Sequence, residues 1–153
     1  MGQGSSQIRV RVAVVVLNEQ NEILLVRQNG KPFWVLPGGT LEPGETLATC
    51  GERELMEELS LTVQCGNLLG VSEFITASRH VVDTVFYANW VGEKTDRLVM
   101  TEDENLDEVG WFSKAATSSI VVQPQGLWQK VLDAWEDDFS VSNSLYLPGH
   151  PVS

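Results

Sequence analysis

Residues 38–61 read GGTLEPGETLATCGERELMEELSL, and this stretch decides the fold. Its centre has the composition of a helix. Leu47, Ala48, Leu55 and Leu59 recur at helical spacing, and the positions between them are largely Glu, Met and Arg, which are good helix formers. The same segment is loaded with acid at Glu45, Glu52, Glu54, Glu57 and Glu58. On a wheel of about 100° per residue, Glu57 lies about 60° to one side of Glu54 and Glu58 about 40° to the other. Leu55, Leu59 and Ala48 cluster beside that acidic face. One side of the helix can therefore pack on a sheet while the adjacent side gathers three carboxylates.

Such a face is unfavourable for the helix itself. Like charges three or four residues apart cost about 0.2–0.5 kcal/mol per pair, and only Arg53 interrupts the run. A solvated acidic face is the plain reading. A hard divalent cation gives the alternative, because it takes oxygen ligands and is held by one or two carboxylates together with substrate phosphate. The flank favours the second reading. Pro37-Gly38-Gly39 precedes the helix and Pro43-Gly44 stands at its mouth. Glycines allow a backbone to approach a ligand closely, so this loop can offer carbonyls to a metal and amides to phosphate oxygens.

These residues carry a family resemblance. Gly39, then Glu45, then Arg53-Glu54-Leu55-Met56-Glu57-Glu58-Leu59-Ser60-Leu61 resembles the Nudix box, G-x5-E-x7-R-E-U-x-E-E-x-G-U, where U is a bulky aliphatic residue. The one departure is Ser60, where the family has Gly; it falls at the helix exit, where glycine ordinarily forms a left-handed cap. The resemblance implies an α/β fold, a Nudix-type α/β/α sandwich with a mixed β-sheet and a helix on each face. It also implies a metal-dependent hydrolase that cuts the pyrophosphate bond of a nucleoside diphosphate linked to a group X, by water attack at phosphorus. Mg²⁺ or Mn²⁺ is the implied cofactor. By the same resemblance, Glu57 and Glu58 are metal ligands, Glu54 is a ligand or the base, and the Gly39 carbonyl is a neutral ligand. Glu45 orients Arg53, and Arg53 with Gly38 holds the loop against the helix. The competing reading is a catalytically silent Nudix-like domain that senses a nucleotide or binds a protein, for which lost box carboxylates would be the mark.

The chain has 153 residues and a formal net charge of −11. That length fits one domain with its own core: a flexible N-terminus over 1–7, the hydrolase domain over 8–136 and a tail over 137–153. The negative charge disfavours a nucleic-acid polymer as partner, since backbone binding needs a basic stripe. It leaves room for a small nucleotide whose charge is met by metal. No apolar run approaches the roughly 18 residues of a membrane span, so the expected location is cytoplasmic. Cys50 and Cys65 form no ligand or disulfide pattern and read as small buried residues. Dimers are common among similar proteins, so a homodimer is allowed for.

Outside the box, Ile8–Leu17 reads as a central strand and Glu22–Gln28 as its hairpin return. Arg11 is either a substrate-binding group beside the sheet or an edge charge. Trp34, next to the glycine loop, either packs in the core or meets a base. A strand starts over Leu61–Cys65, and Leu68–Ile75 pairs with Val81–Val91. Arg79, in the turn between them, could meet phosphate, but a solvated loop charge is the preferred reading. His80 has no catalytic partner in sequence. A second acidic run, Thr101–Glu108, precedes the strand Val109–Phe112. Similar proteins place one more acidic catalytic group in such a loop, and of Glu102, Asp103, Glu104 and Asp107 the choice here is Glu104. The general base is then a box glutamate or Glu104. Pro124 opens an amphipathic helix through Trp135 that should cover the sheet. No Pro occurs between Thr62 and Gln123 and the first Tyr is Tyr87, so the branch signatures of ADP-ribose and dinucleoside polyphosphate hydrolases are missing. Their absence leans toward nucleoside triphosphates or a broad small-nucleotide substrate range.

Overall fold

The computed structural model describes residues 7–92, 105–140 and 146–149. The elements run β1 (Ile8–Val15), β2 (Ile23–Gln28), β3 (Gly38–Thr40), α1 (Leu47–Leu59), β4 (Val63–Ile75), β5 (His80–Trp90), β6 (Leu106–Phe112), α2 (Lys114–Thr117) and α3 (Gln125–Glu136). Four strands form one mixed sheet in the order β3-β1-β5-β4. β1 and β5 run parallel, and the outer pairs are antiparallel. β2 and β6 form a second, two-stranded sheet. The mixed α/β fold is as expected, with β1 an interior strand; β2, expected as the hairpin return of β1, keeps only the bridge Leu17–Ile23 beside the turn and pairs along its length with β6 instead.

The valine run of β1 separates the two halves of the core, because alternate side chains of a strand point to opposite faces. Val14, with Val16 just beyond the strand, packs with Leu55 and Leu59 of α1 and with Leu24, Val26 and Val63. Val15 packs on the other side with Val85 and with Leu127, Val131 and Trp135 of α3. The helices thus cover opposite faces of the sheet, one bearing the acidic segment and the other the C-terminal amphipathic stripe. Trp90 of β5 and Trp111 of β6 stack across the two sheets, with ring centroids 5.5 Å apart and planes 16° from parallel.

Three departures from the sequence expectations have local causes. β4 is one strand of 13 residues rather than two pieces, because register shifts between Cys65 and Gly70 absorb the Gly66-Asn67 interruption. β6 begins earlier than Val109, and Asp107 is fixed there by accepting a hydrogen bond from the Gly30 amide at 2.6 Å. Residues of the tail return to the body: the Tyr146 hydroxyl accepts the Ala48 amide at 3.2 Å, and its ring meets Phe86 edge-on at 4.8 Å. Cys50 and Cys65 are free thiols. Burial pushes both up to about 12, helped by the charges of Glu45 and Glu52 respectively. Among the described residues no helix is long and apolar enough to cross a membrane.

Candidate active site

The acidic helix begins with Thr46 as its N-cap. The Thr46 hydroxyl accepts the Thr49 amide while the Thr49 hydroxyl accepts the Thr46 amide, a reciprocal capping box. It ends at Ser60, which adopts the left-handed conformation at φ 55° and ψ 31° and directs its amide to the Leu55 and Met56 carbonyls. Serine here takes the geometry that glycine would take without steric cost. The helix exit therefore keeps its shape despite the substitution.

Arg53 is the hub of the segment. Its Nε and Nη2 donate to the two carboxylate oxygens of Glu45 at 3.0 and 2.8 Å, a bidentate pair. Nη2 also donates to the Thr40 carbonyl of β3 at 3.2 Å. Nη1 donates to Glu54 at 3.0 Å and to Glu57 at 3.2 Å. One guanidinium thus ties the helix to the entry loop and to β3, and offsets the repulsion between Glu54 and Glu57. The Arg53 contact lowers the Glu45 carboxyl to about 2 against the opposing effect of burial, with the Glu42 amide adding a hydrogen bond at 2.8 Å. Glu45 in turn raises the already high affinity of Arg53 for its proton.

Gly38 and Gly39 bring β3 close to its neighbours. Gly38 sits at φ 155°, and a side chain there would overlap the Val12 carbonyl oxygen. A methyl group on Gly39 would occupy the space of the Glu54 carboxylate. Glu54 therefore lies directly against the Gly39 backbone. Glu58 is buried at 8% exposure, whereas the Glu57 side chain is 59% exposed. Carboxylates joined by a backbone carbonyl form an all-oxygen donor set of the kind that hard divalent cations take. Among the described residues no three His, Cys, Asp or Glu side chains stand ready around a common point. A cation here would have to draw Glu54 and Glu57 away from Arg53, which keeps Glu45. Glu104 lies outside the described residues, as do Glu102 and Asp103.

Arg11 lies elsewhere on the same sheet. It faces a cavity of about 400 Å³ on the α3 side, walled by Phe33, Leu36, Phe74, Val81, Leu127 and Trp128. Its neighbour across β3 is Thr40, the residue after Gly39, so this cleft and the glycine loop share a strand edge. Trp34 does not line the cleft. Its ring packs edge-on against Phe112 at 4.8 Å in the α3-side core, while Phe33 beside it faces the cavity. Arg79, read from sequence as a solvated loop charge, also lines the cleft. The Thr76 hydroxyl accepts its amide at 3.0 Å and turns the hairpin back, leaving the guanidinium 5.9 Å from the centre of the Phe74 ring. His80 pairs with Glu73 at 3.0 Å instead.

Sequence reasoning passed over Asp83. It is half-buried on the cleft wall, directly across from Arg11 in the parallel β1–β5 pairing. Burial pushes its carboxyl up, and the charges of Arg11 and Arg79 oppose that push. The signal was a lone acid in VVDTVFY on the strand face it shares with Val81 and Val85.

A family model described as NUDIX domain matches residues 7–132. An 8-oxo-dGDP phosphatase of Mus musculus is 32% identical over 108 residues, covering 69% of this chain and 32% of the relative. An ADP-ribose pyrophosphatase of Methanocaldococcus jannaschii is 35% identical over 82 residues, covering 50% and 48%. The chain thus spans less than half the length of these curated relatives. Among solved structures, the MutT protein of Methanosarcina mazei Go1 superposes with a TM-score of 0.70 at 22% identity, covering 90% of this chain and all of that one. A MutT NUDIX hydrolase of Burkholderia pseudomallei superposes at 0.61 with 29% identity, covering 78% and 90%. The match of the family model over most of the chain, with the box geometry built as described, shows that this chain belongs to the NUDIX domain family.

Proposed function

We propose that the chain is a metal-dependent hydrolase that cleaves the pyrophosphate bond of a nucleoside diphosphate linked to a group X, a small nucleotide rather than a polymer. The observation that carries this reading is the Arg53 hub, which holds Glu54 against Gly39 and keeps Glu57 on the same helix face. The names of the curated relatives, among them a phosphatase of 8-oxo-dGDP and a pyrophosphatase of ADP-ribose, support the same reaction class. A net charge of −11 supports a small substrate over a nucleic acid.

In this reading Glu57 and Glu58 hold Mg²⁺ or Mn²⁺ with the Gly39 carbonyl, and Glu54 serves as a further ligand or as the general base; Glu104 is the other candidate for the base. A bound divalent cation supplies charge neutralisation of the diphosphate and a lowered pKa for the attacking water. Glu45 and Arg53 act by position, keeping loop and helix in register. The cleft beside Arg11 seats the nucleoside, with the Arg79 guanidinium offering charge to its phosphates and the aromatic walls stacking its base.

The test is phosphate and nucleotide release from nucleoside triphosphates, ADP-ribose, dinucleoside polyphosphates and nucleotide sugars, with Mg²⁺ or Mn²⁺ and with chelator. Turnover should require metal and fall by at least about 100-fold in Glu57→Gln. Folded protein that binds nucleotide but turns over none of these substrates would sink the hydrolase reading and leave a sensing domain.

A further inference from the structure

The cleft on the α3 face is walled mostly by apolar and aromatic side chains, yet a carboxylate is set into it. Carboxylates are rarely placed on such a wall without a partner. Among the described residues the Asp83 side chain makes no hydrogen bond and no ion pair, although Arg11 and Arg79 are near enough for their charges to act on it. A group whose only role was to hold β1 to β5 would be closed onto Arg11, the residue directly across from it. Asp83 instead lines the cavity.

We propose that Asp83 determines which nucleobase the cleft accepts: its carboxylate receives the two adjacent N–H donors on the Watson–Crick edge of a guanine-type base, and Arg11 donates to the neighbouring carbonyl oxygen. The inference rests on the reading of this cleft as the seat of the nucleoside.

The selectivity follows from donor and acceptor order. A guanine-type edge presents two donors side by side and then an acceptor, which matches a carboxylate flanked by a guanidinium. Adenine and cytosine each set a ring acceptor beside their amino group, and an ionised carboxylate would repel it. Uracil has a single N–H between two carbonyls, so one carboxylate oxygen would face another acceptor. Phe33, Phe74 and Trp128 provide the stacking surface that any base can use, which leaves the edge to do the reading. Burial pushes the Asp83 carboxyl up, and the guanidiniums of Arg11 and Arg79 oppose that push, toward the charged form that this pairing needs.

The experiment is calorimetric titration of the protein with GMP, IMP and AMP, using the wild type and Asp83→Asn. IMP lacks only the exocyclic amino donor. Wild type should bind GMP about tenfold or more tighter than either IMP or AMP. Asp83→Asn should weaken GMP by a similar factor and leave AMP equal or improved, because an amide presents one donor beside one acceptor. GMP and IMP binding alike to the wild type, no GMP binding at all, or a variant that weakens GMP and AMP in the same proportion would each overturn the proposal. The GMP-against-IMP comparison needs no variant, so a misfolded Asp83→Asn would not protect it. Monophosphate binding needs no turnover. A protein that discriminates but hydrolyses nothing keeps the Asp83 assignment and loses the hydrolase; one that hydrolyses without discriminating does the reverse.

Discussion

At the scale of single residues, the site depends on two contacts that a sequence can imply but cannot orient. The first is the seat of Glu54 against Gly39. Gly39→Ala should push the Glu54 carboxylate out of its place, because the added methyl group would occupy the same space. We expect turnover to fall by about tenfold or more, with a change of Tm smaller than that caused by a core truncation such as Leu55→Ala, which costs about 2–5 kcal/mol. Kinetics and thermal unfolding on the two variants side by side check this. The second contact is Glu45 on Arg53. The Glu45 carboxyl titrates near 2 in the folded protein against an ordinary value of 4.5. Its folded pKa is depressed, so its stabilisation is fully present above pH 4.5 and is lost as the pH falls through 2. Allowing for solvent screening, the contribution is about 1–2 kcal/mol. Unfolding free energy measured across that acid window should decline less steeply in Glu45→Gln than in the wild type.

The box residues were legible because charge at fixed spacing on a helix defines a face. Asp83 and Arg79 were not, because neither belongs to a motif. Each acquires its place only when β5 lies parallel to β1 and the β4–β5 hairpin folds back over the cleft. Trp34 shows the same limit from the other side. Its position next to the glycine loop allowed a core place or a ligand contact; adjacent side chains of an extended segment point in opposite directions, so Trp34 takes the core and Phe33 the cleft.

At the scale of elements, α1 was the best defined by sequence, since its apolar stripe, cap and acidic face agree with one another. The residue that caps its C-terminal end carries the strain. Ser60 stands at φ 55°, where glycine is at ease and other residues are not. Ser60→Gly should stabilise the protein by about 0.5–1 kcal/mol, net of the added freedom of the unfolded chain, and leave turnover unchanged. Urea unfolding reads the gain; a loss of stability would mean that the serine side chain serves the helix end in some other way. Strand boundaries were harder to read. Leu61–Cys65 and Leu68–Ile75 read as separate pieces, but a sheet can absorb Gly66-Asn67 as a register shift without ending the strand. The start of β6 was hidden because its first residues belong to an acidic run whose composition suggests a loop.

For the whole molecule, the two-sided packing of β1 fixes the arrangement: one helix per face, with the acidic segment and the aromatic cleft meeting at the β3 edge. The tail bears on this arrangement from outside the matched family region. Tyr146 satisfies the Ala48 amide, one of the donors at the helix start that has no partner within the helix, and covers Phe86, which is fully buried. Removing residues 141–153 should cost about 1–2 kcal/mol, a fall in Tm of about 2–8 °C. An unchanged Tm in the shortened chain would show that the Tyr146 contacts contribute nothing to stability.

The stacked Trp90–Trp111 pair gives the molecule an optical signature. Two indoles held nearly parallel at 5.5 Å couple their excited states, so the far-ultraviolet circular dichroism should carry an exciton couplet superimposed on the backbone signal. One ring belongs to the four-stranded sheet and the other to the two-stranded sheet. The couplet therefore reports the docking of the sheets rather than the content of helix or strand. Trp111→Phe should abolish it with the rest of the spectrum retained. In the wild type, its disappearance during a thermal ramp ahead of the backbone signal would time the parting of the sheets as a separate event.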